Sequence, residues 1–385
     1  MHSRLTSLDQ FRGTTVLAMF AVNFVGGLAS VPSGLKHHHT YCSFADTIMP
    51  AFLFAVGFGM RLSFLRRQAI NGRRAYLHFL GRCGGLILLG VLLYHLTGKY
   101  DKFADLTAKP MGEFVLYTFK RGPFETLAHI GVTSLWCLPV IAAAGWVRGL
   151  WAVASGTLHV WLSYLGYYQW NMMAPVGIDG GPLGFLTWAI PLILGTLAHD
   201  WVMLGRPNGT AEIFFTGLIV AVAGYGLSLV NKFTAPNEIT PLTSWKDIHD
   251  GFPFGGPPTL FEKNYWTMSQ RAGSVTYPLF AAGVALAAFA VFRWVCDGGR
   301  NLPPPAPPSQ GKGAGGLGFQ SKFLDLFGRH ALAGYIVHDM AGESVKPFVP
   351  KDSPLWWVGI SFAVYLLLIT VVLRYLDRQR LFLKL

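Results

Sequence analysis

Stretches of about twenty residues with almost no charge recur along this chain, and they constrain it more than any other feature. A bilayer core needs about 20 apolar residues of helix to cross it. At that depth the backbone must satisfy its own hydrogen bonds, so each run is read as a helix. The runs fall near 11–31, 44–64, 76–97, 125–144, 147–167, 183–204, 211–231, 273–296, 323–344 and 355–375. Only 13% of the residues are charged, against about 25% in soluble domains. A soluble enzyme with buried helices would carry fewer and shorter runs. The expected fold is an all-α polytopic transmembrane bundle of about ten spans, a single domain over 1–385.

Charge sets the expected orientation. Between the second and third runs lies RLSFLRRQAINGRR, holding Arg61, Arg66, Arg67, Arg73 and Arg74. Such density marks the cytoplasmic side. Alternation then puts the N-terminus inside and the loop around His37–His39 outside. It returns the C-terminal tail, with Arg374, Arg378, Arg380 and Lys384, to the inside. The net charge of +12 therefore reports topology, and no nucleic-acid motif accompanies it. The first run reads as an uncleaved helix, because Asp9, Arg12 and Asn23 do not suit a signal peptide. The expected location is a bacterial cytoplasmic membrane, with the lipid bilayer as partner, no nucleic acid, and room for a homo-oligomer.

Three connections have their own character. Met111–Phe119 is amphipathic and suits the membrane surface. The stretch 231–272, rich in Pro, Gly and aromatics, is an extracytoplasmic loop long enough to cap a pocket. The stretch 298–321, containing NLPPPAPPSQGKGAGG, reads as a flexible cytoplasmic tether. Four scattered cysteines without CxxC spacing suggest neither a disulfide framework nor a metal site.

Polar groups at membrane depth are costly, about 2.5–3.5 kcal/mol for a central Asp or Arg, so those present should face the bundle interior. Asp9 and Asn23 lie near one face of the first helix, about 21 Å apart at 1.5 Å per residue. Arg12 sits beside Asp9, where a local i,i+3 pair at the interface is the plain alternative. Asn23 has its own, a helix–helix hydrogen bond. A neutral imidazole of the histidine loop can take a proton from an attacking amine or hydroxyl. Asp46 can orient such a base, although Ser43-x-x-Asp46 is also a capping-box start. His129 in ETLAHIG, and His338 with Tyr335 in GRHALAGYIVHDM, are further pocket candidates.

The motifs RLTSLDQFRG, the VN of the first helix, the histidine loop and FADTIMPAFLFAVGFGMRLSF resemble the heparan-α-glucosaminide N-acetyltransferase-like membrane proteins. FETLAHIG, GIDGGPLGFLTWAIPLILGTLAHD, NYWTMSQRAGSVTYPLFAAGVAL and GRHALAGYIVHDM resemble later segments of that family. The resemblance implies transfer of an acetyl group from cytoplasmic acetyl-CoA to an amine or hydroxyl of an extracytoplasmic sugar or glycan. It carries the family's acid and arginine onto Asp9 and Arg12, on the donor side. Its asparagine falls on Asn23, its second-helix acid on Asp46, and its catalytic histidine on His38, with His39 as rival. A transporter using the same polar groups is the competing reading, although no internal repeat supports it. A non-catalytic protein keeping only the fold is the other.

Overall fold

The computed structural model describes residues 5–38, 42–94, 102–108, 110–120, 124–174, 176–204, 208–230, 265–297 and 320–383. His39, most of the 231–272 loop and nearly all of the 298–321 tether lie outside them. Within the described residues the regular elements are helices. They are α1 (Thr6–Val25), α2 (Ile48–Gln68), α3 (Gly72–Tyr94), α4 (Phe103–Ala108), α5 (Met111–Lys120), α6 (Thr126–Cys137) and α7 (Gly145–Leu162). There follow α8 (Tyr168–Met172), α9 (Phe185–Met203), α10 (Gly209–Ser228), α11 (Thr276–Asp297), α12 (Lys322–Arg329), α13 (Ala331–Val345) and α14 (Leu355–Arg378).

A helix stands at every apolar run, and six are both long and apolar enough to cross a membrane: those at 45–68, 72–93, 181–203, 209–228, 276–297 and 355–378. Three runs differ from expectation. That at 125–144 is an α-helix only from Thr126 to Cys137, followed by a 3₁₀ turn to Val140. Helix α1 starts at Thr6, which brings Asp9 and Arg12 inside it, and it stops at Val25 before the Gly26-Gly27 pair, leaving Asn23 in its last turn. The run at 323–344 is broken at His330, whose φ of −107° and ψ of 29° leave the helical region. There the His330 ring lies 3.2 Å from Asp377 of α14, and Asp377 also takes Arg329 at 2.7 Å. The ion cluster holds the bend that separates α12 from α13.

Helices α2 and α9 form the centre. A Cβ on Gly57 would stand 1.9 Å from the Leu192 carbonyl oxygen, and one on Gly195 would stand 2.0 Å from that of Phe54. Small residues are what allow this backbone approach, as in other membrane helix pairs. The two helices are thereby locked in register. One end of the pair carries the histidine loop and the other Arg61 with Asp200, defining a histidine end and an arginine end.

Candidate functional site

At the histidine end, Ser33–Leu35 forms a 3₁₀ turn and Ser43 Oγ donates to the Lys36 carbonyl at 2.7 Å, folding the loop back on itself. Asp46 lies beneath, only 2% exposed. Its Oδ2 accepts from Ser43 N at 3.0 Å and His38 N at 3.3 Å, with Ser43 Oγ 2.9 Å away. The Asp46 backbone N–H points back at Ser43 Oγ, 3.4 Å away. This is the reciprocal geometry of a capping box. Oδ1 is left for the ring of His37, whose Nδ1 is 2.8 Å away. From below, the Tyr277 hydroxyl donates to the Asp46 carbonyl at 2.6 Å. The carboxylate therefore caps the helix with one oxygen and holds an imidazole with the other.

A carboxylate only accepts, so the proton between His37 and Asp46 sits on Nδ1. The Nε2 lone pair of His37 then points away and meets no partner among the described residues. The side chain keeps 40% of its surface exposed. Burial of its inner edge disfavours the charge, but the hydrogen bond and charge of Asp46, with Asp179 behind it, outweigh burial and raise the pKa above 6.5. His38 is arranged differently: its Nε2 donates to the Ser33 carbonyl at 2.8 Å, and its backbone N–H is what reaches Asp46. The motif pattern points to His38, whereas the ring on Asp46 is that of His37.

Asn23 meets a second histidine. Its Nδ2 lies 3.2 Å from Nε2 of His338 on α13, and the other ring nitrogen, Nδ1, faces the Tyr335 carbonyl. The ring stacks on Phe20 with centroids 5.5 Å apart, and Asp339 Oδ1 is 3.3 Å from the same Nε2.

A third group is Asp179, in the turn before α9. It is a non-glycine residue at φ 49°, followed by Gly180 at φ 84°, a left-handed path that Asp tolerates better than most residues. A Cβ on Gly180 would stand 2.8 Å from Gly184 Cα and 3.0 Å from Gly273 Cα, which excludes a larger residue there. Gln270 Nε2 donates to Asp179 Oδ1 at 2.7 Å and Trp188 Nε1 to its carbonyl at 2.8 Å. Burial lifts the Asp179 carboxyl to about 6, although Gln270 and His37 pull it down. Asp179, Gln270 and Tyr277 had no individual signal in the sequence; only the Asp-Gly-Gly turn chemistry marked the first.

The arginine end holds a buried ion cluster. Arg61 of α2 grips Asp200 of α9 with Nε and Nη2, each at 3.1 Å, and also donates to the Ile141 carbonyl. Arg148 of α7 shares Asp200, and His199 Nδ1 lies 2.9 Å from it. The Arg12 guanidinium lies beside α2, 3.7 Å from where a Cβ of Gly59 would stand. Asp9 packs one turn away, its carbonyl against Gly328 of α12. Arg66, Arg67, Arg73 and Arg74 are exposed. Among the described residues no group of three or more His, Cys, Asp or Glu side chains is gathered as for a metal ion.

Residues 4–189 match the family model for heparan-alpha-glucosaminide N-acetyltransferase, catalytic. Over these residues, a little under half of the chain, the protein resembles that family. No curated protein matches the chain. The match takes in Asp9, Arg12, Asn23, the histidine loop, Asp46 and Asp179, and ends before Gln270, Tyr277 and His338. Family and helices together describe an N-acetyltransferase-like membrane protein.

Proposed function

We propose that this protein moves an acetyl group from cytoplasmic acetyl-CoA to an amine or hydroxyl of an extracytoplasmic sugar or glycan. The observation that carries the reading is the His37–Asp46 pair, with Nδ1 fixed at 2.8 Å on a buried carboxylate and Nε2 without a partner among the described residues. A base held in one tautomer by a carboxylate, with its second nitrogen free, is the arrangement acyl transfer requires.

In this reading His37 Nε2 takes the proton of the acceptor as its nitrogen or oxygen attacks the thioester carbonyl. The imidazolium, stabilised by Asp46, then returns that proton to the leaving thiolate. Asn23, held against His338, is the donor toward the developing oxyanion, an interaction worth about 10²–10³ in rate in other acyl-transfer sites. At the opposite end Arg12 and the exposed Arg66, Arg67, Arg73 and Arg74 supply the positive charge that the donor's phosphates need. Arg61 is already committed to Asp200.

The test is acetyl transfer by purified protein to a panel of amino sugars and their hydroxyl counterparts, alongside calorimetric titration with acetyl-CoA. Saturable binding that weakens with salt, together with transfer, supports the reading. Folded protein that neither binds acetyl-CoA nor transfers acetyl groups overturns it.

A further inference from the structure

The proton balance of acetyl transfer leaves one task that the His37–Asp46 pair cannot perform. An ammonium acceptor, R–NH₃⁺, must lose two protons to become an amide. The thiolate of coenzyme A takes back one of them, through His37. The other needs a second base. A hydroxyl acceptor loses a single proton and needs none.

We infer that Asp179 is that second base: its carboxylate binds the ammonium group of an amine acceptor and takes the first proton, leaving a neutral amine for His37 to assist. The inference rests on the acyltransferase reading above and adds a residue and an acceptor preference to it.

The placement supports this. Asp179 is 3% exposed, and its Oδ1 is held by Gln270 at 2.7 Å, while Oδ2 has no partner among the described residues. The backbone of Asp179 is tied to that of Asp46 through two aromatic residues. Trp188 donates to the Asp179 carbonyl, the indole packs edge-on against Tyr277 with centroids 5.6 Å apart, and the Tyr277 hydroxyl donates to the Asp46 carbonyl at 2.6 Å. The backbones of Asp46 and Asp179 are thus joined across one aromatic pair, and the Asp179 charge adds to that of Asp46 in favouring the protonated His37 ring. Both Asp46 oxygens are taken, which leaves the Asp179 carboxylate as the anion for an incoming cation.

The chemistry is written as R–NH₃⁺ + Asp179–COO⁻ → R–NH₂ + Asp179–COOH. The carboxylic acid then passes its proton to solvent, while R–NH₂ forms the new C–N bond and the C–S bond breaks. The groups that act on Asp179 are Gln270, with His37 and Asp46 from the loop and the start of α2, and Tyr277 from α11 feels its charge in turn; the His129 ring of α6 lies on the far side of Gly184. With its carboxyl lifted to about 6, Asp179 is ionised at neutral pH yet a stronger base than an ordinary carboxylate. An amine with the pKa of an α-amino group, about 8, is mostly charged there.

The test is Asp179→Asn, assayed with glucosamine as the amine probe and glucose as the hydroxyl probe, over pH 6.5–9.5. Asn adopts the left-handed conformation as readily as Asp, so the turn is kept. The expected result is a loss of at least tenfold in kcat/KM for glucosamine near pH 7. The loss should shrink toward wild type near pH 9, where the amine is already neutral in solution, and any transfer to glucose should be little changed. A structural defect would lower both acceptors equally at every pH. Such a uniform loss, or wild-type kinetics in the variant, overturns the assignment of Asp179 and leaves the acyltransferase reading intact. Wild-type protein that acetylates glucose and not glucosamine also overturns it. Wild-type protein that transfers to no acceptor and does not bind acetyl-CoA removes both.

Discussion

Asn23 in the last turn of α1 and His338 in α13 stand 315 residues apart in sequence and 3.2 Å apart in space. The pair joins the family-matched half of the chain to the half beyond the match. If the two act as one unit, Asn23→Ala and His338→Ala should each slow transfer, and the double variant should be little worse than either. Contacting pairs show coupling of about 0.5–3 kcal/mol. Kinetics on the four proteins of the cycle measure it, and strict additivity would separate the two roles.

His37→Ala is expected to lower transfer by about 10²–10⁴, the usual contribution of positioned base catalysis, with little change in melting temperature. His38→Ala removes a ring bonded to the Ser33 carbonyl and should cost about 1 kcal/mol of loop stability and far less activity. The comparison is acetyl transfer alongside thermal melts. The reverse ranking would return the base to His38.

Asp46→Asn keeps a capping side chain, since Asn caps helices as well as Asp does, but removes the charge behind His37. Folding should be nearly preserved and transfer should fall at least about tenfold, because a neutral partner stabilises the imidazolium poorly. Equal activity would reduce Asp46 to a cap.

The His37 pKa is raised above 6.5 in the folded protein. The stability this pairing contributes is therefore complete below pH 6.5 and is lost as pH rises through the raised value. Activity runs the other way, because the base must be neutral. The acid limb of the wild-type pH profile should lie above 6.5, and Asp46→Asn should move it down. Melting temperature and kcat/KM across pH 5–9 in both proteins test the two directions.

At the arginine end, Asp200→Asn would leave Arg61 and Arg148 facing one another without their shared anion. Breaking a buried ion cluster in this way costs about 3–5 kcal/mol. Asp200 keeps 27% of its side chain exposed, which favours the lower figure. Thermal stability in detergent should fall while the histidine site keeps its pH profile.

Gly57→Ala places a methyl group 1.9 Å from the Leu192 carbonyl oxygen, and α2 can accept it only by moving off α9. Overpacking of this kind costs about 1–3 kcal/mol. Yield and melting temperature should both drop, whereas Gly72→Ala, with open space around it, should be neutral.

Apolar run length alone marked this chain as a helical membrane bundle and put a helix at each run, though not its ends or the break at His330, because each span satisfies its backbone internally and needs no partner to be recognised. The Ser43–Asp46 cap was legible for the same reason: it is local, three residues long, and written in residue type. What only the tertiary structure decided is which groups share a site. Asp46 holds His37 while His38 turns to Ser33, a choice among adjacent imidazoles made by the fold of a short loop, to which spacing is blind. His338 reaches Asn23, and Tyr277 and Trp188 link Asp46 to Asp179, because α1, α2, α9, α11 and α13 pack together. Their close approach depends on glycines such as Gly57 and Gly195 meeting backbone on the facing helix. Helix position follows from one-dimensional hydrophobicity; the rotation and register that aim polar side chains at each other follow from side-chain volume across interfaces, which no single segment contains.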